Sequence, residues 1–83
     1  MKITLKLFAS LQEHLPADAK EYSVPLEIDE TTTPYALIDR FNIPRKLAHL
    51  VVLNGVYLLP AERETPVFKD GDVLAIWPPV AGG

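Results

Sequence analysis

At 83 residues the chain has room for one domain with one compact core, and not for two. Hydrophobic residues make up 48% and charges are interspersed among them, which excludes a disordered chain; a net charge of −3, with no basic run longer than Arg45-Lys46, argues against a nucleic-acid partner, since phosphate binding needs clustered Lys and Arg. The absence of cysteine removes disulfides, iron–sulfur clusters, thiolate zinc sites and a cysteine nucleophile together, and fits a reducing compartment.

Ile3, Leu5 and Leu7 alternate with Lys2, Thr4 and Lys6, the period-two signature of a half-buried strand. The same alternation leaves no signal-peptide core, and nowhere do about twenty apolar residues run together, so a soluble cytoplasmic protein with no membrane partner is expected. Phe8 falls on the lysine side of this strand. Leu11 and Leu15 at helical spacing predict a short helix over Ala9 to Leu15, capped by Ser10 and stopped by Pro16. Ala17 to Lys20 reads as a loop.

Tyr22, Val24, Leu26 and Ile28 alternate with polar residues and Pro25, predicting a second strand that proline confines to a sheet edge. Thr33-Pro34 is a helix start, with a hydroxyl cap followed by proline at the first helical position. Leu37, Ile38 and Phe41 form the apolar stripe of that main helix, which ends before Pro44. One further turn is expected between Pro44 and His49.

Leu50 to Leu53 runs into Asn54-Gly55, a strong hairpin signal, and Val56 to Leu59 returns as far as Pro60. Glu62, Arg63 and Glu64 read as a solvated loop. Lys69-Asp70-Gly71-Asp72 is a turn in which the two aspartates are turn formers rather than a catalytic pair, and Val73 to Trp77 is a last strand ended by Pro78-Pro79. His14 and His49, the only histidines, lack companions at ligand spacing, so no metal site is expected. The element order predicts an α+β domain over residues 1–77 and a tail over residues 78–83.

That tail, Pro78-Pro79-Val80-Ala81-Gly82-Gly83, carries the chemistry. Prolines leave the sheet stiff and extended, small residues follow, and two glycines let a terminal carboxylate enter a narrow active site. A carboxylate is a poor electrophile and must be activated, for example as an acyl-adenylate, before it can carry a sulfur or an acyl bond. The chain has no phosphate-binding glycine loop and no nucleophile–base set to do this. It is therefore read as a substrate or carrier with no catalytic residue and no bound cofactor. A terminal Gly-Gly that is an inert, frayed end is the alternative.

Gly71-Asp72-Val73 followed by Ile76-Trp77-Pro78-Pro79-Val80-Ala81-Gly82-Gly83 resembles the C-terminal signature of the ubiquitin-like sulfur carriers. The small subunit of molybdopterin synthase is the nearest type, with the thiamine-pathway sulfur carrier a near relative. Leu7-Phe8-Ala9, the Asn54-Gly55 hairpin and the Lys69 to Asp72 turn extend the likeness over most of the chain. Pro60-Ala61-Glu62-Arg63-Glu64 departs from it, being longer and more charged than that subunit's corresponding stretch.

The resemblance implies a ubiquitin-like β-grasp, a mixed sheet of four to five strands packed on one main helix. It also implies a cycle. An adenylating enzyme similar to ubiquitin-activating enzymes uses ATP to form an acyl-adenylate on Gly83, and a sulfurtransferase or persulfide donor converts this to a thiocarboxylate. The tail, Pro78 to Gly82, then threads the active site of a large catalytic subunit, where sulfur passes to a cyclic pyranopterin monophosphate.

Strand parity places Leu74 and Ile76 toward the helix and Val73, Ala75 and Trp77 away from it. Phe8 and Trp77 would then share an exposed apolar patch, and the resemblance makes that patch the docking face for both partners. The alternative is that Trp77 tucks under a loop and completes the core. A thiamine-thiazole carrier, a protein modifier joined to lysines through Gly83, and a plain β-grasp interaction module remain the other readings of the whole.

Overall fold

The computed structural model describes residues 1–80, and Ala81, Gly82 and Gly83 lie outside the described residues. Its five strands are β1 (Lys2–Leu7), β2 (Ser23–Glu27), β3 (Leu50–Leu53), β4 (Val56–Tyr57) and β5 (Val73–Trp77), with one α-helix, α1 (Pro34–Arg40). They form one sheet in the order β2-β1-β5-β3-β4. The first and last strands lie side by side and parallel at its centre, and the other neighbours are antiparallel. The expected β-grasp arrangement is the observed one.

Alternation decides which face is covered. Ile3, Leu5 and Leu7 of β1, Val51 of β3, and Leu74 and Ile76 of β5 are all buried. They join Leu37 and Ile38 of α1, together with Leu11, Ile43, Leu58 and Phe68, in one core. Each such side chain contributes roughly 1.5–3 kcal/mol by leaving water. Pro25 sits opposite Thr4 on β2, an edge strand, where its missing N–H faces no partner.

The helix ends are chemically specified. Thr33 Oγ1 accepts a hydrogen bond from the Ala36 N–H at 3.0 Å, and Pro34 opens the first turn. At the other end Asn42 takes a left-handed φ of 60°. There the Asn42 N–H bonds to the Asp39 carbonyl and the Ile43 N–H to the Ile38 carbonyl, each at 3.0 Å, which closes the helix as a Schellman motif. Asn54 and Gly55, with φ of 49° and 84°, make the predicted two-residue hairpin between β3 and β4.

Several expectations need correction. The segment after β1 is a 3-10 helix over Ala9–His14, preceded by Phe8 with no side-chain cap, so Ser10 lies inside it rather than capping it. Phe41 is the half-buried C-cap of α1 and packs against the core with Leu37 and Ile38, as the stripe predicts. Tyr22 stands outside β2, because Lys20 and Ser23 exchange backbone hydrogen bonds across a tight turn in which Glu21 has a φ of 57°. The returning strand stops at Tyr57. Leu58 turns inward to the core while its N–H still reaches the Val51 carbonyl at 2.8 Å.

The charged stretch is not a solvated loop. Pro60–Glu64 is a 3-10 helix in which the Glu62 carboxylate accepts from the Leu59 N–H at 2.8 Å. Arg63 is only 5% exposed. Its guanidinium donates to the carbonyls of Leu58 at 3.0 Å and Ala48 at 3.3 Å and to the Tyr57 hydroxyl at 3.0 Å. Composition alone marks this segment as surface, but a guanidinium carries enough donors to satisfy two buried carbonyls and a tyrosine hydroxyl at once, and so tolerates burial.

Candidate functional site: the tail exit and the open sheet face

The tail leaves from the end of β5, in the middle of the sheet. Both flanks hold it there: the Phe8 N–H donates to the Ile76 carbonyl at 3.1 Å and the His49 N–H to the Trp77 carbonyl at 3.0 Å. Pro78 is half-buried, Pro79 exposed, and Val80 81% exposed. Because prolines supply no N–H, the ladder cannot continue past Trp77, and the chain must leave the sheet.

Phe8 and Trp77, predicted to share a face, are in contact. Their rings stack with centroids 4.3 Å apart and planes 4° from parallel. Neither belongs to the buried core, so the alternative in which Trp77 completes that core does not hold. Ala9, with a left-handed φ of 52°, turns the chain into the 3-10 helix immediately after Phe8. This conformation is costly for a residue with a Cβ, and it lies directly beside the aromatic stack.

Register fills in the rest of the face, since directly opposed residues point to the same side of a sheet. Leu50 lies opposite Trp77, Val52 opposite Ala75, and Ala75 opposite Lys6. Tyr22 adds its ring to Phe8, with centroids 4.7 Å apart. The uncovered face thus presents Tyr22, Phe8, Trp77 and Leu50 in one row beside the tail, with Lys6, Ala75 and Val52 in the next. Leu50 is 43% exposed, which is high for a leucine in a strand. Alternation had already placed Lys6 on the Phe8 side, but sequence reasoning missed Leu50 and Tyr22 as members. Leu50 could have been found from register once β3 was placed beside β5, whereas the position of Tyr22 depends on the Glu21 turn.

Asp70 and Asp72 are turn formers, as expected. Asp70 Oδ1 accepts from the Lys2 N–H at 2.7 Å. The Asp72 carboxylate accepts from the Lys69 N–H at 2.7 Å and from Asn54 Nδ2 at 2.8 Å, tying the turn to the hairpin. His14 donates from Nδ1 to the Phe41 carbonyl at 3.1 Å. Among the described residues no group of three His, Cys, Asp or Glu could hold a metal ion, and no helix is long and apolar enough to cross a membrane.

The perturbed acids lie away from this face. Hydrogen bonds from the Thr31 hydroxyl and N–H hold the Asp29 carboxyl below the usual aspartate range. The Arg45 guanidinium does the same for Asp39 through paired hydrogen bonds of 2.8 and 3.2 Å, and is itself raised. Both are exposed groups on α1 or the loop before it. Two surface depressions, of about 320 and 350 Å³, lie beside Asp39 and Arg45 and at the β2 edge beside Lys20, Ser23 and Pro25. What the described residues offer here is an exposed aromatic surface beside the point where the tail leaves the sheet.

A family model described as the ThiS family matches residues 5–83. The molybdopterin synthase sulfur carrier subunit of Drosophila erecta is 26% identical over 83 residues, covering 100% of this chain and 92% of that protein. Among solved structures, SAMP1 from Haloferax volcanii matches with a TM-score of 0.67 at 26% identity, covering 100% of both chains. A putative molybdopterin converting factor, subunit 1, from Pyrococcus furiosus matches at 0.63 and 22% identity, covering 95% of this chain and 98% of the other. The complex of subunits 1 and 2 of the molybdopterin-converting factor from Helicobacter pylori matches at 0.58 and 23%, with 100% of both chains covered. With a family match that runs from β1 through the tail, this chain belongs to the ThiS family, the ubiquitin-like sulfur carriers whose C-terminal signature it bears.

Proposed function

We propose that the protein is the sulfur-carrying small subunit of a molybdopterin-synthase-type complex, with Gly83 as the acyl terminus that bears the sulfur. The observation that carries this reading is the exit of a Pro-Pro tail from the central strand beside an uncovered aromatic face, in a sequence that closes on Gly82-Gly83. The Drosophila relative, named as a molybdopterin synthase sulfur carrier subunit, supports the pathway. The Helicobacter structure, a complex of subunits 1 and 2, supports a large-subunit partner.

The chemistry follows from the carboxylate. In an adenylating partner the Gly83 carboxylate attacks the α-phosphorus of ATP, pyrophosphate leaves, and an acyl-adenylate forms. A persulfide sulfur on a sulfurtransferase attacks the acyl carbon and expels AMP. A thiol then attacks the enzyme's sulfur in the resulting acyl disulfide, forming a disulfide with the sulfurtransferase and freeing the thiocarboxylate. In the large subunit that sulfur attacks a carbon of a cyclic pyranopterin monophosphate, and the C–O bond from that carbon to the cyclic phosphate breaks. Water hydrolyses the resulting thioester, leaving the sulfur on the acceptor and releasing the Gly83 carboxylate for another round. This chain supplies binding and reach. Its six tail residues, Pro78 to Gly83, span at most about 20 Å when extended, so the docking face must hold the body that close to each active site. Phe8 and Trp77 form the centre of that face, and the cycle runs in the cytoplasm.

The test is intact-mass analysis of protein made alongside its native partners, with alkylation by a thiol reagent. A sulfur in place of oxygen on the terminal peptide, blocked by alkylation, is expected. Oxidation of Met1 or Trp77 adds nearly the same mass, so the shift must map to the tail. A terminus that extends past Gly83 in the mature protein, or lysine-linked conjugates with no thiol-reactive terminus, would overturn the carrier reading.

A further inference from the structure

Lys6 stands out on the open face. It is half-buried, opposite Ser23 on one side and Ala75 on the other, and one row from the Phe8–Trp77 stack. Among the described residues no carboxylate lies within ion-pair distance of its ammonium. The Tyr22 ring lies beside it, with its centroid 5.8 Å from Nζ. Lys2 differs, since it is exposed at the end of the strand and opposite Glu27. On this face the cation stands between Ser23 and Ala75 in register, with the Tyr22 ring nearby and Phe8 two residues along the chain, and it is solvated while the face is open. If a purely apolar surface covered that face, the ammonium would be stripped of water with nothing in return, which is the costly outcome for any buried charge.

From this we infer that Lys6 is a specificity-determining residue of the docking face, and that the partner surface closing over it presents a carboxylate within an apolar socket. The inference rests on the proposed role of Phe8 and Trp77 in docking. Its occupant is the adenylating enzyme, which must grip the body while the tail is still an unactivated carboxylate and gives no covalent hold. Apolar contact supplies area, and the Lys6–carboxylate pair fixes orientation and rejects surfaces that lack the acid. On a chain of net charge −3, a cation on this face also gives an acidic socket a local attraction against the overall charge.

The experiment measures binding of the full-length chain to its purified adenylating enzyme at low and high ionic strength, for wild type, Lys6→Met, Lys6→Glu and Trp77→Ala. Lys6→Met keeps the apolar stem and removes only the charge, so it serves even where the glutamate variant folds poorly. Lys6→Met is expected to weaken binding at least about tenfold at low salt and to flatten its salt dependence, with Lys6→Glu weaker still. Trp77→Ala is expected to weaken binding while preserving the salt dependence of what remains. The inference is overturned if Lys6→Met binds like wild type with the same salt dependence while Trp77→Ala fails to bind, for docking is then purely apolar. If Trp77→Ala also binds like wild type, the docking face itself has been misassigned, and the role of Lys6 falls with it.

Discussion

The two faces of the sheet are built from the same strands, by the same alternation, and yet they are chemically unlike. The covered face is aliphatic: Ile3, Leu5, Leu7, Val51, Leu74 and Ile76, all essentially removed from water. Its open counterpart is aromatic and mixed, with Tyr22, Phe8, Trp77 and Leu50 around Lys6. Branched aliphatic side chains fill a close-packed interior without polar atoms to satisfy, whereas flat rings and a lysine stem offer area that a partner can cover. Burial and exposure therefore fall on alternate residues of one strand, and β5 carries both: Ile76 is buried in the core while its chain neighbour Trp77 lies on the open face, where docking is proposed.

The sharpest way to break this division is to truncate those two neighbours. Ile76→Ala removes a fully buried side chain from the central strand and is expected to cost about 2–5 kcal/mol, read from urea unfolding. Trp77→Ala should cost clearly less, because the ring is half-exposed and leaves no interior cavity, while partner binding is weakened. Equal destabilisation by both would mean that the open face is structural after all.

The covered face was the more legible in sequence because period-two alternation encodes it directly. Thr33-Pro34, Asn54-Gly55 and the edge position of Pro25 were equally readable, each having a local physical cause. What escaped depended on contacts between segments distant in sequence. Tyr22 joins Phe8 only because Glu21 turns the chain, and Leu50 joins Trp77 only through the β3–β5 register. Arg63 is the clearest miss. A charged run reads as surface, and nothing near Arg63 in sequence announces that the Ala48 carbonyl, fifteen residues earlier, needs its donor.

Arg63 also supplies the next test, on the border between the two faces. Its guanidinium joins Ala48, Leu58 and Tyr57, and the backbone N–H of His49, next to Ala48, holds the Trp77 carbonyl at the tail exit. Arg63→Met fills the space but orphans two buried carbonyls. It is expected to cost about 2 kcal/mol, with part of the loss offset by no longer burying a charge. Tyr57→Phe removes one hydrogen bond from an exposed ring and should cost less than about 1 kcal/mol. Hydrogen exchange should locate the Arg63→Met effect at the His49 amide as well as around residues 57–63. Protection at His49 that matches wild type would confine Arg63 to its own loop.

On the helix that covers the sheet, Thr33→Ala removes the one side-chain cap of α1 and is expected to cost about 1 kcal/mol, whereas Thr33→Ser should be nearly neutral. The measurement is again the unfolding midpoint, and both variants should bind the proposed adenylating partner like wild type, since Thr33 caps the helix that covers the other side of the sheet from the proposed docking face. A binding defect in Thr33→Ala at unchanged stability would show that the two faces are coupled.

The smallest expected effect is the dependence on acid. Asp29 and Asp39 both have carboxyl groups held below their ordinary value, Asp29 mainly by the Thr31 hydroxyl and Asp39 mainly by hydrogen bonding to Arg45. A depressed folded-state value means that the unfolded chain takes up protons first as pH falls. The contribution of each group is therefore present above the unfolded value, about 4, and is lost as pH drops through the lower folded value. Both groups are fully exposed, so the acid limb should be shallow. Salt separates the two causes. Asp39 faces an opposite charge and its share should shrink as ionic strength rises, while Asp29 is held by neutral donors and its share should persist. Unfolding midpoints taken from neutral pH to below 4 should thus fall less steeply in Asp39→Asn at low salt and lose that difference at high salt. Asp29→Asn should keep its difference from wild type at both. An Asp29 contribution that vanished with salt would mean that the Thr31 hydrogen bonds do not set it, and that net charge governs the whole acid limb.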